Sequence, residues 1–424
     1  MACRTIPARH ECRGFSRNPM NAFETITQWH EELTAIRRDI HAHPELGFEE
    51  TRTSDLVAQK LHEWGIDEIH RGLARTGVVG LIRGARPDNG SMVGLRADMD
   101  ALPMQEHNRF SHASAVAGKM HACGHDGHTT MLLGAARYLA QHRDFAGTVA
   151  VVFQPAEEFG AGGRVMLEDG LLTRFPIQAI FGVHNMPGIP AGQIALSAGP
   201  VLASNSEFRL RITGRGGHAA MPHLAIDPIP VATHLINAWQ TIISRHKKPL
   251  EAAVISVTTL HAGDTFNVIP DACELGGTVR AYTTETLDLI ETRMTEMATL
   301  VCQTWGAKAD FQFNRIYPST INHAAETAFA REVLHDLVGA ENLLEQTPIM
   351  AAEDFSFMLE KIPGCYAFIG NGDGSHRLNG HGEGPCLVHN PSYDFNDALL
   401  PLGGSYLASL ATRWLETYPS QAAT

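Results

Sequence analysis

Five side chains that can bind a transition metal lie within one ten-residue stretch, Lys119-Met-His-Ala-Cys-Gly-His-Asp-Gly-His128. They are Cys123, His121, His125, Asp126 and His128. Thiolate, imidazole and carboxylate groups bind such metals, and two glycines let the loop turn tightly enough to direct several groups at one point. The alternative is a loop of surface histidines around a buried thiol. The stretch holds neither a C-x-x-C pair nor an H-E-x-x-H helix, so further ligands must come from distant sequence.

Three apolar runs elsewhere end abruptly in polar residues. They are residues 92–95, followed by Arg96-Ala-Asp98, residues 149–153, followed by Gln154-Pro-Ala-Glu157-Glu158, and residues 179–183, followed by His184. Each run predicts a buried strand. Helical periodicity between them, as in residues 129–143, predicts an α/β fold with a largely parallel sheet covered on both faces.

Parallel sheets bind ligands beyond the carboxyl ends of their strands. We therefore expect Asp98, Glu157, Glu158 and His184 to converge on the Cys123 loop. Successive residues after a strand tend to point in opposite directions, so one glutamate can bind metal while the other faces a substrate. The alternative for the glutamates is a solvated pair that opens a helix.

Other polar positions have two interpretations. His389, in the segment Leu387-Val-His-Asn-Pro, is the last ligand candidate, although a histidine after two apolar residues is also typical of a core. Glu353 and Asp354 either cap a short helix or support the metal ligands from behind. His41 and His43 lie near a helix end before Pro44, and we expect them to be capping or solvated residues.

Composition narrows the class of protein. The chain has 424 residues, of which 44% are hydrophobic and 19% charged, so it is globular and long enough for two domains. Its net charge of -13 is spread without long runs of one sign, which disfavours nucleic acid and membrane surfaces as partners. Residues 1–19 lack the apolar region of a secretory signal, and the seven scattered cysteines indicate reduced thiols, so we expect a cytoplasmic protein.

The pattern of the chain changes near Ser204. Residues 206–213 alternate polar and apolar side chains, as in a strand with one wet face. Helices and strands then follow in the order β-α-β-β-α-β, which predicts a ferredoxin-like α+β domain. We expect this inserted domain at 204–316, a discontinuous large domain at 20–203 and 317–424, and a disordered extension or upstream start at 1–19.

Six segments together resemble a known family. They are residues 37–48, 95–103, 120–128, 153–158, 214–220 and 389–393. In this order they resemble the aminoacylase and hippurate hydrolase branch of the dinuclear metallopeptidase (peptidase M20) superfamily, together with the plant indole-acetyl-amino-acid hydrolases. The resemblance covers about residues 30–415. It implies a three-layer metallohydrolase domain with an inserted lid or dimerisation domain.

The resemblance also implies roles for individual residues. Cys123, His125, Glu158, His184 and His389 match the ligands of two divalent metal ions per subunit, with Cys123 placed to bridge them. Glu157 matches the general base, and His218 a residue that stabilises the oxyanion across a subunit interface, which implies a homodimer or homotetramer. Asn267 and Arg280 resemble contacts to a substrate carboxylate, and Asp98 supports the ligands from behind.

One departure bears on the metal. Carboxypeptidases of the superfamily place His-x-Asp on the first strand and a bridging Asp on the loop, where this chain has Arg96-Ala-Asp98 and Cys123. Thiolate favours zinc, whereas carboxylates and imidazoles also accept manganese, cobalt or nickel. We expect zinc or manganese.

The implied reaction is hydrolysis of the amide bond of an N-acyl amino acid, such as a hippurate-like or N-acetyl compound. A dipeptidase or carboxypeptidase is the alternative, since the scissile bond and the free carboxylate are shared. A metal-binding module without catalysis would have lost part of the water-activating residues, yet Glu157 and all five ligand candidates are present. A redox sensor at Cys123 is a further alternative, although a bound metal would occupy the thiolate.

Overall fold

The structure, a computed structural model, describes residues 19–66 and 68–418. The extension expected at residues 1–19 lies outside this part except for Pro19, at which the first helix begins. The five cysteines of the described residues are free and buried, in keeping with reduced thiols. Every helix in the described part is too short or too polar to cross a lipid bilayer.

Helices and strands alternate through most of the described chain. The α-helices are α1 (Pro19–Thr27), α2 (His30–Ala42), α3 (Thr51–Glu63), α4 (His125–Gln141), α5 (Glu157–Gly160), α6 (Gly162–Glu168), α7 (Leu171–Arg174), α8 (Pro228–Thr241), α9 (Thr284–Thr304), α10 (Ala324–Val338), α11 (Ser356–Leu359) and α12 (Leu400–Thr417). The β-strands are β1 (Glu68–Leu73), β2 (Gly77–Arg83), β3 (Met92–Asp98), β4 (Thr148–Gln154), β5 (Ala179–Pro187), β6 (Ile194–Ala195), β7 (Gly199–Leu202), β8 (Asn205–Thr213), β9 (Gly217–His218), β10 (Ala253–His261), β11 (Val268–Ile269), β12 (Ala272–Ala281), β13 (Lys308–Tyr317), β14 (Thr320–Asn322), β15 (Leu343–Leu344) and β16 (Gly364–Gly372).

The larger sheet has eight strands in the order β1-β2-β4-β3-β5-β16-β6-β15. Its four central strands, β4, β3, β5 and β16, are mutually parallel. Antiparallel pairs join β1 to β2, β2 to β4 and β16 to β6. The prediction of a mostly parallel sheet therefore holds at its centre, where the strands carry the candidate ligands, and the sheet as a whole is mixed.

Both faces of this sheet are covered. Neighbouring residues of one strand belong to two different apolar clusters: Val151 and Phe181 pack in the first, and Val152 and Ile180 in the second. A strand whose successive side chains are all buried needs a layer on each side. The predicted three-layer architecture is thus confirmed.

A smaller sheet has the strand order β10-β12-β8-β13, with antiparallel neighbours. Helices α8 and α9 cover one face through an apolar cluster that includes Phe208, Trp239 and Met294. In β8, Arg209 and Arg211 alternate with buried residues and remain exposed. The β-α-β-β-α-β order and the half-wet strand were both predicted, while the boundaries at residues 204 and 316 stay a prediction.

The amphipathic pattern of residues 23–43 predicts one helix, but the structure divides it at residues 28 and 29 into α1 and α2. Ile26 and Leu33, on either side of the break, are both fully buried in the same cluster. The apolar pattern therefore continues through a break that periodicity does not reveal.

Candidate metal centre

The Cys123 loop and the start of α4 lie at the carboxyl ends of the central strands. Asp98, at the end of β3, contacts His128 of α4, with 2.7 Å between Oδ1 and Nδ1. His184 of β5 lies with its Nε2 3.3 Å from Cys123 Sγ. His389 Nε2 is 3.3 Å from Glu158 Oε1. The structure thus brings the five proposed ligands to one edge of the sheet.

These ligand candidates form two groups of three donors. One contains Cys123, His125 and His184, and the other contains Cys123, Glu158 and His389. Within each group the donor atoms lie within 4.8 Å of one another, so the Cys123 sulfur is common to both. The Cys123 sulfur could therefore contribute to both donor groups.

The histidine rings are oriented as metal ligands usually are. His125 Nδ1 lies 2.9 Å from the carbonyl oxygen of Asp100, and His184 Nδ1 lies 2.5 Å from that of Asn185. Each Nδ1–H can therefore donate to a carbonyl, which leaves the Nε2 lone pair for a metal. The buried Nε2 of His125 makes no hydrogen bond. These residues fit a divalent cation.

The charge on Cys123 depends on whether a cation is bound beside it. Burial raises the pKa of the Cys123 thiol, and the neighbouring carboxylate of Glu158 raises it further. A thiolate here is unfavourable without positive charge nearby, whereas a bound cation deprotonates a coordinating thiol.

Other histidines and acids of the loop have different partners. His128 can donate to Asp98 and accept the backbone N–H of Asn185 at 2.9 Å, so both its ring nitrogens are used. Asp126 lies 2.8 Å from Nδ1 of His41. Both ring nitrogens of His121 are buried and make no hydrogen bond. Only two of the five candidates in the stretch therefore enter the two donor groups.

The expectation that His41 is a capping or solvated residue is wrong. Its ring is fully buried between Asp126 and Glu106, with Nε2 3.3 Å from the Glu106 carboxylate. Arg37, on the same face of α2, is also buried and pairs with Asp126 and Asp394. One turn of α2 thus places two buried basic side chains against Asp126 of the Cys123 loop. His43, by contrast, is about half exposed.

Glu157 and Glu158 start the one-turn helix α5, and their backbone is held by Asp100. The two carboxylate oxygens of Asp100 accept the N–H groups of Glu157 and Glu158, each at 3.0 Å. Its Oδ1 also lies 3.3 Å from His125 Nδ1. Asp100 therefore positions a ligand and the two glutamates together. Sequence analysis missed it, although it stands two residues after Asp98.

A buried ion-pair network lies behind Glu157. The guanidinium of Arg96 contacts Asp98 at 2.7 Å, Glu353 at 2.8 Å and Asp354 at 2.9 Å. Glu353 also accepts the backbone N–H of Phe355 at 2.9 Å, but no side chain caps α11, so the capping interpretation of this segment is wrong. The carboxylate oxygens of Glu157, Glu353 and Asp354 lie within 4.8 Å of one another.

The accumulation of carboxylates affects Glu157 directly. Burial, and then the charges of Glu353, Glu158 and Asp354, raise the pKa of the Glu157 carboxyl well above its usual value. At Asp98, burial raises the pKa, but His125 and Arg96 outweigh it and hold the pKa well below its usual value. The pKa values of these two carboxyl groups are thus shifted in opposite directions by their different neighbours.

The residues proposed for the substrate lie with the smaller sheet. His218 is exposed in β9, which pairs with β11, and the carbonyl of Asn267 accepts the N–H of Ala219 at 3.0 Å. Arg280, in β12, donates to the side-chain oxygen of Asn205. Among the described residues, no hydrogen bond or ion pair joins His218, Asn267 or Arg280 to the two donor groups.

Known proteins resemble this chain over most of its length. The family model of peptidase family M20/M25/M40 matches residues 94–412. IAA-amino acid hydrolase ILR1-like 5 of Arabidopsis thaliana is 42% identical over 90% of this chain and 86% of its own. Hippurate hydrolase of Campylobacter jejuni is 41% identical over 94% of this chain and 100% of its own. The crystal structure of Bacillus subtilis YxeP protein, a dinuclear metal-binding peptidase of the M20 family, is 36% identical, with a TM-score of 0.79 over 92% of this chain and 99% of its own.

Proposed function

The chain belongs to peptidase family M20/M25/M40 and is an amidohydrolase, and we propose that it cleaves the amide bond of N-acyl amino acids with two divalent metal ions per subunit. The observation that carries this proposal is the pair of donor groups that share Cys123, with Glu157 beside them. The products are a carboxylic acid and a free amino acid.

Bound divalent ions would polarise the scissile carbonyl and make a nearby water more acidic. Glu157 takes a proton from the attacking water as the water oxygen bonds to the acyl carbon. It then gives that proton to the amide nitrogen as the C–N bond breaks. The position of Glu157 supports this double role, because one of its carboxylate oxygens lies within 4.8 Å of donor atoms of His125 and Glu158.

We propose that Asn267 and Arg280 bind the free carboxylate of the substrate. The guanidinium of Arg280 is partly buried, and its side-chain partner in the structure is a neutral oxygen of Asn205. Burial lowers the pKa of Arg280, so a carboxylate would be a better partner than an amide. The smaller sheet would then hold the carboxylate while the amide bond lies at the metals.

His218 is proposed to stabilise the oxyanion in the active site of a partner subunit, which makes the active enzyme a homodimer or homotetramer. Its exposure and its lack of bonds to the donor groups within the described chain support action in another subunit. Large apolar side chains beside it are also exposed: Phe266 fully, and Met221 and Val268 by about half. Such a patch is typical of a surface that pairs with another chain.

A mixed dimer tests this assignment. In a hybrid of one Glu157→Ala subunit and one His218→Ala subunit, action between subunits leaves one site with both groups intact. Action within a subunit leaves each site missing one group. We expect the purified hybrid to recover roughly half the activity per wild-type dimer, while each parent stays inactive. An inactive hybrid of confirmed composition would remove His218 from this role.

Zinc or manganese is the proposed metal, with cobalt and nickel as alternatives, because the donors combine a thiolate with imidazoles and a carboxylate. Metal analysis of the purified protein, followed by reconstitution of chelator-treated samples, identifies the ion. The free cysteines of the described residues support the cytoplasm as the proposed location.

A substrate panel tests the reaction itself. Hippurate, N-acetyl amino acids and dipeptides share the scissile amide and the free carboxylate, and they differ in the acyl group. We expect hippurate or an N-acetyl amino acid to have the highest kcat/KM, and the Glu157→Gln variant to serve as the matched inactive control. Preference for dipeptides would favour the dipeptidase or carboxypeptidase alternative, and failure to cleave any of them would refute the proposed function.

A further inference from the structure

The peptide group between Glu157 and Glu158 is held from both sides. Its N–H, which belongs to Glu158, donates to Asp100 Oδ2 at 3.0 Å. Its carbonyl, which belongs to Glu157, accepts the hydroxyl of Tyr317 at 2.6 Å. This one peptide group connects the proposed base to a proposed ligand, so its tilt sets the angle between their side chains.

The helix that contains this peptide cannot hold it alone. α5 is a single turn, and Ala161 ends it in the left-handed region at φ 50. A helix of one turn leaves its carbonyl groups dependent on donors from elsewhere. At 2.6 Å the hydroxyl of Tyr317 is at the short end of the range for such bonds, and the bond is buried.

Tyr317 reaches this carbonyl from the smaller sheet. It is the last residue of β13 and pairs with Asn205 after an irregularity in register that follows Arg315. Irregularities of this kind redirect a side chain at the end of a strand. Tyr317 is 6% exposed, and its ring meets that of Phe357 edge-on, with 6.0 Å between the ring centres. The ring is therefore packed independently of its hydroxyl.

We propose that Tyr317 is a positioning residue for Glu157. Its hydroxyl holds the carbonyl of the Glu157–Glu158 peptide while Asp100 holds the N–H of the same peptide, and together they fix the direction of the Glu157 side chain. This inference rests on the proposed role of Glu157 as the base. Because Tyr317 ends a strand of the smaller sheet, it also ties the orientation of the base to the place of that sheet. A displacement of about 1 Å at a reacting group can lower a rate about a hundredfold.

The Tyr317→Phe variant isolates the hydroxyl, because it keeps the ring that packs on Phe357. Ser319→Ala is the matched control, because it also removes one hydroxyl, two residues further along the chain. The Ser319 hydroxyl donates to the carbonyl of Ala281 at 2.9 Å and not to Glu157. We expect Tyr317→Phe to lower kcat by about tenfold to a hundredfold with KM, bound metal and Tm near the wild-type values. The control should leave all four unchanged.

Hydrogen exchange supplies a measurement that does not need turnover. Loss of the hydroxyl should speed exchange of the Glu157 and Glu158 amides in Tyr317→Phe and not in Ser319→Ala. An unchanged kcat, or a loss explained by lost metal or raised KM, would overturn the proposal. If the wild type cleaves no member of the substrate panel, the proposed function fails. The positioning role is then decided by hydrogen exchange alone, and unchanged exchange of the Glu157 and Glu158 amides in Tyr317→Phe would overturn it.

Discussion

Arg96 is the cation that allows several carboxylates to be buried next to Glu157, so its removal should be costly. The side chain is 1% exposed and contacts Asp98, Glu353 and Asp354 within 2.9 Å. Arg96→Met keeps much of its volume and removes its charge. The carboxylates would then remain in a buried place with no guanidinium to balance them.

The size of the effect follows from the charges that remain. Burial raises the pKa of Asp354 to about 8 even though Arg96 opposes the shift, so removal of Arg96 would raise this pKa further. Asp98 and Glu353 would lose the same guanidinium, and removing one partner of a buried ion pair costs about 3–5 kcal/mol of unfolding free energy. For a chain of this size we expect Tm to fall by about 3–6 °C.

The assay is thermal unfolding of chelator-treated protein at pH 7, which removes stabilisation by bound metal. Arg83→Met is the matched control, because Arg83 pairs with Glu68 on the surface with both side chains about half exposed. Such surface pairs contribute about 0–1 kcal/mol. If the two variants unfold at the same temperature, the buried network does not stabilise the fold as described.

Three further predictions concern single residues. Glu157→Gln should abolish turnover with bound metal near the wild-type amount, and metal loss would instead exchange the roles of Glu157 and Glu158. Cys123→Ser should lose both metal and activity, since a hydroxyl is a far poorer anionic ligand, and full activity would remove Cys123 from the site. At His41, burial lowers the pKa, but the charge and hydrogen bond of Asp126 outweigh it and raise the pKa to about 10. The stabilising contribution of His41 should thus be complete below pH 6.5 and lost as pH rises through 10. The measurement is the difference in urea midpoint between wild type and His41→Gln. This difference should shrink from pH 6 to pH 10, and a constant difference would contradict the prediction.

The sequence indicates where Glu157 and His184 lie, because each follows a buried strand. An apolar run that ends in Glu157 or His184 shows both the strand and the end at which the polar group emerges, and parallel strands place those ends together. The directions of the outer strands could not be predicted in this way, because the antiparallel pairing of β2 with β4 depends on contacts that periodicity does not encode. For this reason the sheet was expected to be more parallel than it is.

Residues that act through partners far along the chain were harder to predict. His41 has the local surroundings of a helix end, and its burial depends on Glu106 and Asp126, 65 and 85 residues away. Arg96 finds two of its carboxylates more than 250 residues later. Asp100 could have been found, because a second acid two residues beyond Asp98 again follows the end of a buried strand.

The smaller sheet begins and ends at neighbouring points of the chain. Asn205, where β8 starts, pairs directly with Tyr317, where β13 ends. Residues paired in this way have Cα atoms about 5 Å apart, a gap that a short turn can close. We therefore predict that the segment between them can be exchanged for that of a relative without rethreading the eight-stranded sheet.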